Sequence, residues 1–587
     1  LKSLHYGVIG NGKSAALITT RGEMEWCCLP IFDSPSVFAR ILDWDKGGYW
    51  SVEGDYETYQ QYMPKTNILV TRFENPDSAF ELVDFMPRHK DGERYFTPPD
   101  VVRILRPLKG KPVVTIHYHP RLRYAEDGMD SQIQDGVIKS FTTDKPYESV
   151  YLYTNLDQEK VINQEPIELN KERFMLLSYN QKLNKPTIHS LNLELERTKV
   201  YWMNWAAESP FLGEYHAIIE RSALAMKLLA YQKTGAVLAA ITTSIPEEVG
   251  SVRNWDYRFC WLRDASMTIK VFTDLGHYNV GRRYLQFILD MLPYKDEPIQ
   301  IMYGINGEKK LTEEELNWLD GYKGSKPVRI GNAAYKQVQN DIYGLVMDTI
   351  YQSISKAGDT LEEDYMEDLW TVVRSLVRYV ESDWQKPDSG IWEIRGEKRH
   401  FVFSKVMCWV AIDRALNIAS VLGKLEYREP WLKLKGEIMD DVMENGWSES
   451  AQAFTQSYGD DSLDASNLLM EHYGFVSPDD AKYVSTVQKT HENLCRDGLM
   501  YRYRNQDDFG EPTSSFTVCT FWMVKSLHRI GEKEKARSMF EQLLLYSNHL
   551  GLYSEDIHFE TKELLGNFPQ GYSHLALIDT ALTLMDE

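Results

Sequence analysis

Along the first two hundred residues, apolar positions come in short runs, many of them alternating with polar ones. Asn67–Phe73, Ala79–Phe85 and Pro112–Tyr118 are β-branched or aromatic runs separated by turn-forming clusters such as Glu74–Ser78 and Lys109–Lys111. Many short strands at this spacing predict an antiparallel β-sandwich over residues 1–190. Beyond Leu191 the pattern changes. Glu194, Glu196, Arg197 and Lys199 alternate with apolar residues ahead of Tyr201-Trp202-Met203-Asn204-Trp205. That predicts a linker helix over 191–210 whose aromatic face docks two domains together.

From Tyr215 onward the period is helical. Apolar residues recur at three- and four-residue intervals over 214–232, 264–276, 280–292, 335–356, 361–382, 402–422, 427–445, 462–473, 479–493, 515–530, 534–547 and 571–585. Gly276 and Gly531 follow apolar helices as stop signals, and Ser477-Pro478 begins one in the N-cap and first-turn positions. These twelve segments fit six helical hairpins closed into a ring over residues 211–587. A superhelix of repeats would also hold twelve helices, but no fixed-period signature is present.

In a closed ring the helices fill the wall, so the loops at one end build any pocket. The chemically informative stretches fall in such loops. Asn254–Asp264 precedes the second helix, Tyr322–Asn332 the fourth, Pro387–Lys405 leads into the sixth, Met500–Phe516 precedes the tenth and His549–Tyr572 the twelfth. All lie ahead of even-numbered helices, which predicts one shared site.

Composition narrows the partners. With 65 basic and 86 acidic residues the formal charge is −21, so nucleic acid and anionic membrane surfaces are disfavoured. No run of about 18 apolar residues occurs and the opening residues lack a signal-peptide pattern, so the expectation is a cytoplasmic protein without a membrane span. The six cysteines form no CxxC or Cys/His cluster and read as buried reduced thiols. His117 and His119 share one strand face but lack a third ligand, and read as surface or packing residues. No metal or cofactor is implied.

Within Asn254–Asp264 stand four aromatic rings, two arginines and two aspartates. Two readings fit that composition. One is an aromatic turn held by Asp–Arg pairs. The other is a sugar site, where rings cover the apolar face of a pyranose and Asp and Arg hold its hydroxyls. Two carboxylates in the later loops extend the second reading. Glu393 lies between Trp392 and Ile394, where apolar surroundings favour a protonated general acid. Glu555 lies in the turn Gly551–Asp556, where a wetter setting would leave an ionised base.

These residues resemble the glucoamylase-type enzymes of glycoside hydrolase family 15. The resemblance spans nearly the whole chain, through Tyr6–Gly12, Trp26–Pro35, Asn254–Asp264, Gly390–Gly396, Ser404–Trp409 and Leu564–Gln570. It implies a β-sandwich ahead of an (α/α)6 barrel, and inverting hydrolysis of an α-linked glucosyl unit without a cofactor. It also implies roles. Glu393 matches the general acid and Glu555 the general base, while Arg263 and Asp264 match the pair that holds the terminal glucose. Tyr257 and Trp261 match aromatic positions near the same sugar, and Trp392 flanks the acid. Arg329, Arg502 and Lys405 fall in loops that supply subsite cations. The loop Gly321–Pro327 departs from the fungal pattern by lacking a tryptophan, Tyr322 standing nearby.

The leading expectation is an exo-acting α-glucoside hydrolase that releases β-glucose from gluco-oligosaccharides. Its alternative within the family is a trehalase. A disaccharide phosphorylase would share the plan, but a carboxylate at Glu555 would repel the attacking phosphate. A non-catalytic glycan-binding protein would be expected to lack one of the two glutamates, and both are present.

Overall fold

The computed structural model describes residues 4–144, 146–180, 182–291, 299–357, 361–507 and 509–586. Two antiparallel sheets form the amino-terminal part. The larger runs Met129–Gln134, Val137–Thr142, Ser149–Thr154, Arg173–Tyr179, Asp100–Lys109, Ala79–Phe85, Leu69–Glu74 and Glu57–Tyr62 in spatial order. The other is built around Tyr6–Gly10, Ala15–Thr19, Met24–Cys28, Tyr49–Glu53 and Val113–His119. The three strands expected from alternation are present within two residues at each end.

Several of these strands are buried along their whole length, because each face meets a different core. Ile9, Ile18, Leu82, Val101 and Met175 face a cluster between the two sheets. Their neighbours Val8, Leu17, Val83, Val102 and Leu176 face a second cluster shared with the helices. A strand buried on both faces reads as a continuous apolar run, and the period-2 signal fades. His117 and His119 pack around the ring of Tyr49, with centroids 6.4 and 5.1 Å away, and His117 also meets Glu53 at 3.3 Å.

The linker helix spans Ile188–Ala206. It starts where Thr187 and Ser190 exchange side-chain-to-backbone hydrogen bonds, of 3.1 and 2.9 Å, a reciprocal cap that satisfies two orphan N–H groups. Its buried Trp205 stacks on His277 of the helical part at 3.9 Å.

The helical part is a ring within a ring. Leu262–Asp274, Asp341–Ala357, Val402–Val421, Ala465–Met470, Thr517–Arg529 and Gly571–Met585 each touch the next, and the last touches the first. Around them stand His216–Leu228, Tyr278–Met291, Glu363–Asp383, Arg428–Asn445, Ala481–Leu494 and Lys533–Leu544. The inner members are the even-numbered helices of the sequence pattern. One expectation is corrected. Residues 462–473 do not form an α-helix but a 3-10 helix, Ala465–Met470. The Asp464 carboxylate accepts the Ser466 N–H at 2.8 Å and the Ser466 hydroxyl at 2.6 Å, holding the tighter turn.

Candidate active site

Five loops converge at the amino-terminal ends of the inner helices and enclose a cleft of about 800 Å3, counted to its mouth. Tyr257, Trp261, Arg263, Asp264, Trp392, Glu393, Arg502 and Glu555 all line it. The stretch Asn254–Asp264 divides its charges between two tasks. Arg258 and Asp256 form a fully buried bidentate pair, at 2.9 and 2.8 Å, and Arg258 also donates to the Ser34 carbonyl at 3.1 Å. That pair fastens the loop to the sheet domain. Arg263 and Asp264 pair at 2.9 Å on the cleft side, at the start of the Leu262–Asp274 helix. One pair therefore anchors the loop, as the first reading expects, and the other lines the cleft.

Glu393 sits in a left-handed backbone conformation, φ 59°, which a non-glycine residue adopts at a cost of about 1–2 kcal/mol. The Trp261 indole donates to its Oε1 at 2.5 Å, and an Arg263 nitrogen lies 3.6 Å from the same oxygen. Arg263 also donates to the Ile391 carbonyl at 2.8 Å, so one guanidinium positions the whole Glu393 loop. Burial raises the Glu393 pKa above its ordinary value, while Arg263 and the indole hydrogen bond oppose the rise. Trp392 donates to Asp464 at 3.0 Å and packs its ring edge against Phe516.

Across the cleft, the Tyr257 hydroxyl donates to Glu555 Oε1. Gly566, at φ 79°, lies against this carboxylate: a Cβ there would stand 2.7 Å from the Glu555 Cβ. The Glu555 pKa is raised to about 8, first by burial and then by the neighbouring Glu247 carboxylate, against the Tyr257 hydrogen bond and Arg502. Glu247 pairs with Arg502 at 3.2 Å.

This reverses the expected contrast between the two glutamates. Glu555 is only 3% exposed, whereas the Glu393 side chain keeps 23%. The polar turn around Glu555 is covered by Gly566 of its own loop and by the Asn254–Asp264 loop, about three hundred residues away in sequence. The ordinary pKa of a turn glutamate does not survive that covering.

Two of the expected subsite cations are placed elsewhere. Lys405 is buried in the first turn of the Val402–Val421 helix, where its ammonium donates to the Trp384 carbonyl and to that of Lys386 at 2.9 Å. It ties that loop's carbonyls instead of lining the cleft. Arg329 donates to the Val252 and Asn254 carbonyls, at 2.9 and 3.0 Å, and its guanidinium lies 4.5 Å from the Trp255 ring centre. It supports the aromatic wall from behind.

Several lining residues were not picked out from the sequence. Glu247, Arg253, Asp507 and Phe509 also line the cleft. Arg253 pairs with Asp507 at 2.6 Å, and Phe509 meets Trp255 edge to face at 5.4 Å. Tyr572 and Gln570 line the cleft as well. The positional rule of loops ahead of even-numbered helices covers nearly all of them. What the sequence lacked was a reason to choose Glu247 over the adjacent Glu248. Among the described residues, no helix is long and apolar enough to cross a membrane.

The sequence model described as "Glycosyl hydrolases family 15" matches residues 213–582, and one described as "Trehalase-like, N-terminal" matches 5–154. A protein named trehalase from Thermoplasma volcanium is 36% identical, covering 99% of this chain and 93% of its own. One of the same name from Mycobacterium tuberculosis is 34% identical, over 98% and 88%. "Trehalase 2" of Sulfolobus acidocaldarius is 33% identical, over 98% of each. A bacterial glucoamylase solved in complex with acarbose superposes with a TM-score of 0.72 at 12% identity, covering 100% of this chain and 94% of that one. At that identity the likeness speaks for the fold, an (α/α)6 barrel behind an antiparallel sheet domain.

Proposed function

The chain belongs to glycosyl hydrolase family 15, and on that premise we propose that it acts as a trehalase, splitting α,α-trehalose with inversion at one anomeric carbon. The observation that carries this reading is whole-length similarity to archaeal and mycobacterial proteins named trehalase. The cleft supports it. Its volume of about 800 Å3 lies in the range of small-molecule sites, which suits a disaccharide. The exo-acting reading on longer gluco-oligosaccharides is the less well supported of the two.

Arg263 and Asp264 hold the hydroxyls of the glucose being attacked, with Tyr257 and Trp261 against its ring. Glu393 gives its proton to the glycosidic oxygen as the bond to the anomeric carbon breaks. Glu555, once ionised, takes a proton from water as the oxygen of that water bonds to the opposite face of the same carbon. Glu555 needs its carboxylate form, and burial with Glu247 nearby withholds it at low pH. For the free enzyme, kcat/KM therefore falls at acid pH as Glu555 takes up its proton, and falls again at high pH, where Glu393 has lost its own. The limbs of that profile report the coupled cluster rather than single residues.

Proton NMR of early turnover tests the reading. Inversion predicts equal amounts of α- and β-glucose from trehalose, the α-anomer being the departing sugar. α-Glucose alone would mean retention and overturn the mechanism. Faster glucose release from maltotetraose or isomaltose than from trehalose would return the chain to the exo-acting reading. Azide distinguishes the two carboxylates: β-glucosyl azide made by Glu555→Ala supports Glu555 as base. The same product from Glu393→Ala instead would exchange the roles.

A further inference from the structure

A second cavity, of about 2350 Å3 counted to its mouth, lies between the His89–Asp91/Arg94–Phe96 hairpin, the linker helix and the Tyr278–Met291 helix. It shares no lining residue with the catalytic cleft. Arg88, Lys227 and Arg283 gather along it around Gln232. Arg88 is 1% exposed; its two terminal nitrogens donate to the Asn11 carbonyl and the Gln232 side chain. Arg283 donates to the Gln232 carbonyl. Neither arginine meets a carboxylate among the described residues, and the Lys227 ammonium has no hydrogen-bond or ion-pair partner there.

Five acids line the same trough; Asp91, Glu93 and Glu196 are exposed to solvent, Glu196 lying 3.9 Å from Lys199, and the other two face partners of their own. Glu194 faces His89 at 2.7 Å and Arg197 at 3.2 Å, and Glu208 faces His277 at 3.1 Å. Three cations brought together without a counter-charge repel one another, and the strain shows at the lysine. Burial and then Arg88 and Arg283 hold the Lys227 pKa well below its ordinary value, with only Glu208 opposing. A chain of net charge −21 repels anions at long range, so a cation cluster retained here needs a local cause. Charge-assisted bonds to an anion would remove the repulsion and use the idle donors of Lys227 and the half-buried Arg283, with the buried Arg88 adding its charge from behind.

We propose that this trough is a binding site for a phosphate group, held by Lys227, Arg283 and Arg88 at the junction of sheet domain, linker helix and barrel. The phosphate group is either the free inorganic ion or the phosphoryl group of a small phosphorylated metabolite. The exposed rings of Tyr95 and Phe96 on the hairpin give the second kind of ligand a surface for its carbon skeleton. Because the site joins parts that move apart on unfolding, occupancy raises the melting temperature by mass action.

Isothermal titration of the intact protein with inorganic phosphate at constant ionic strength tests this, with glucose 6-phosphate as a second titrant. Saturable binding of either supports the site. Tighter binding of glucose 6-phosphate assigns the metabolite, and phosphate alone assigns the free ion. No saturable heat from either, with no rise in Tm beyond that given by chloride, overturns it. Lys227→Met, which breaks no internal hydrogen bond of that ammonium, is expected to weaken phosphate binding about tenfold or more while turnover stays unchanged. Unchanged phosphate affinity in that variant would also overturn the assignment.

Discussion

The catalytic cleft and the trough beside the linker helix settle buried charge in opposite ways. In the cleft every carboxylate that matters has a donor set against it: Tyr257 for Glu555, Trp261 and Arg263 for Glu393, Arg502 for Glu247. Partnering is complete but competitive, since Glu247 works on Glu555 against Tyr257 and Arg502. In the trough, Arg88, Lys227 and Arg283 gather without a carboxylate against them, and the acids that line it are exposed or paired with other residues. A site that must change protonation during its reaction keeps donors and carboxylates in balance. A site that only holds a ligand leaves its counter-charge to be supplied by that ligand.

The largest effect is expected where that balance serves the chemistry. Glu555→Ala removes the base, and kcat on trehalose should fall by about 10²–10⁴-fold or more while trehalose binding remains measurable. Retained turnover would remove Glu555 from the mechanism. Glu393→Gln should follow, with a loss of similar order on trehalose but a much smaller one on α-glucosyl fluoride, whose leaving group needs no proton. Equal losses on the two substrates would count against its role as acid.

Smaller and more diagnostic is Glu247→Gln. Removing a neighbouring negative charge lowers the raised Glu555 pKa, so the acid limb of kcat/KM should move to lower pH, by about one unit for an interaction of 1.4 kcal/mol. An unmoved limb would mean that burial alone sets the Glu555 pKa. The smallest expected change is in the trough. Without phosphate, Lys227→Met should raise Tm by about 1–2 °C through lost repulsion, as about 1 kcal/mol gives about 2 °C or less in a chain this long. A fall in Tm would show that its ammonium is already satisfied, and that the two regions are less different than they look.

Much of this site was legible as pattern. The even-numbered helices, the loops ahead of them and the aromatic Asp/Arg stretch all sit where periodicity and composition placed them. Which member of each pair does what was less legible. Asp256–Arg258 and Arg263–Asp264 are the same residue types a few positions apart, and only the arrival of Ser34 from the sheet domain makes the first pair structural. Lys405 and Arg329 illustrate the same gap. Each is a cation in a loop or helix start near the cleft, and each spends its donors on backbone carbonyls that the fold leaves without partners.

By itself the sequence determined the order of elements, the closed ring of helices, the end of the ring that carries the chemistry and the two glutamates. Those follow from spacing and residue type, which are local. Tertiary structure alone decided the environment of each glutamate, because burial and field depend on what folds over a residue from elsewhere in the chain. The Asn254–Asp264 loop packs on Glu555, and Glu247 adds its charge, so that burial and field raise the Glu555 pKa, while Trp261 and Arg263 turn toward Glu393 and restrain the rise there. The trough, too, exists only in three dimensions: Arg88, Lys227 and Arg283 are far apart along the chain, and only the docking of sheet, linker and barrel sets their charges side by side.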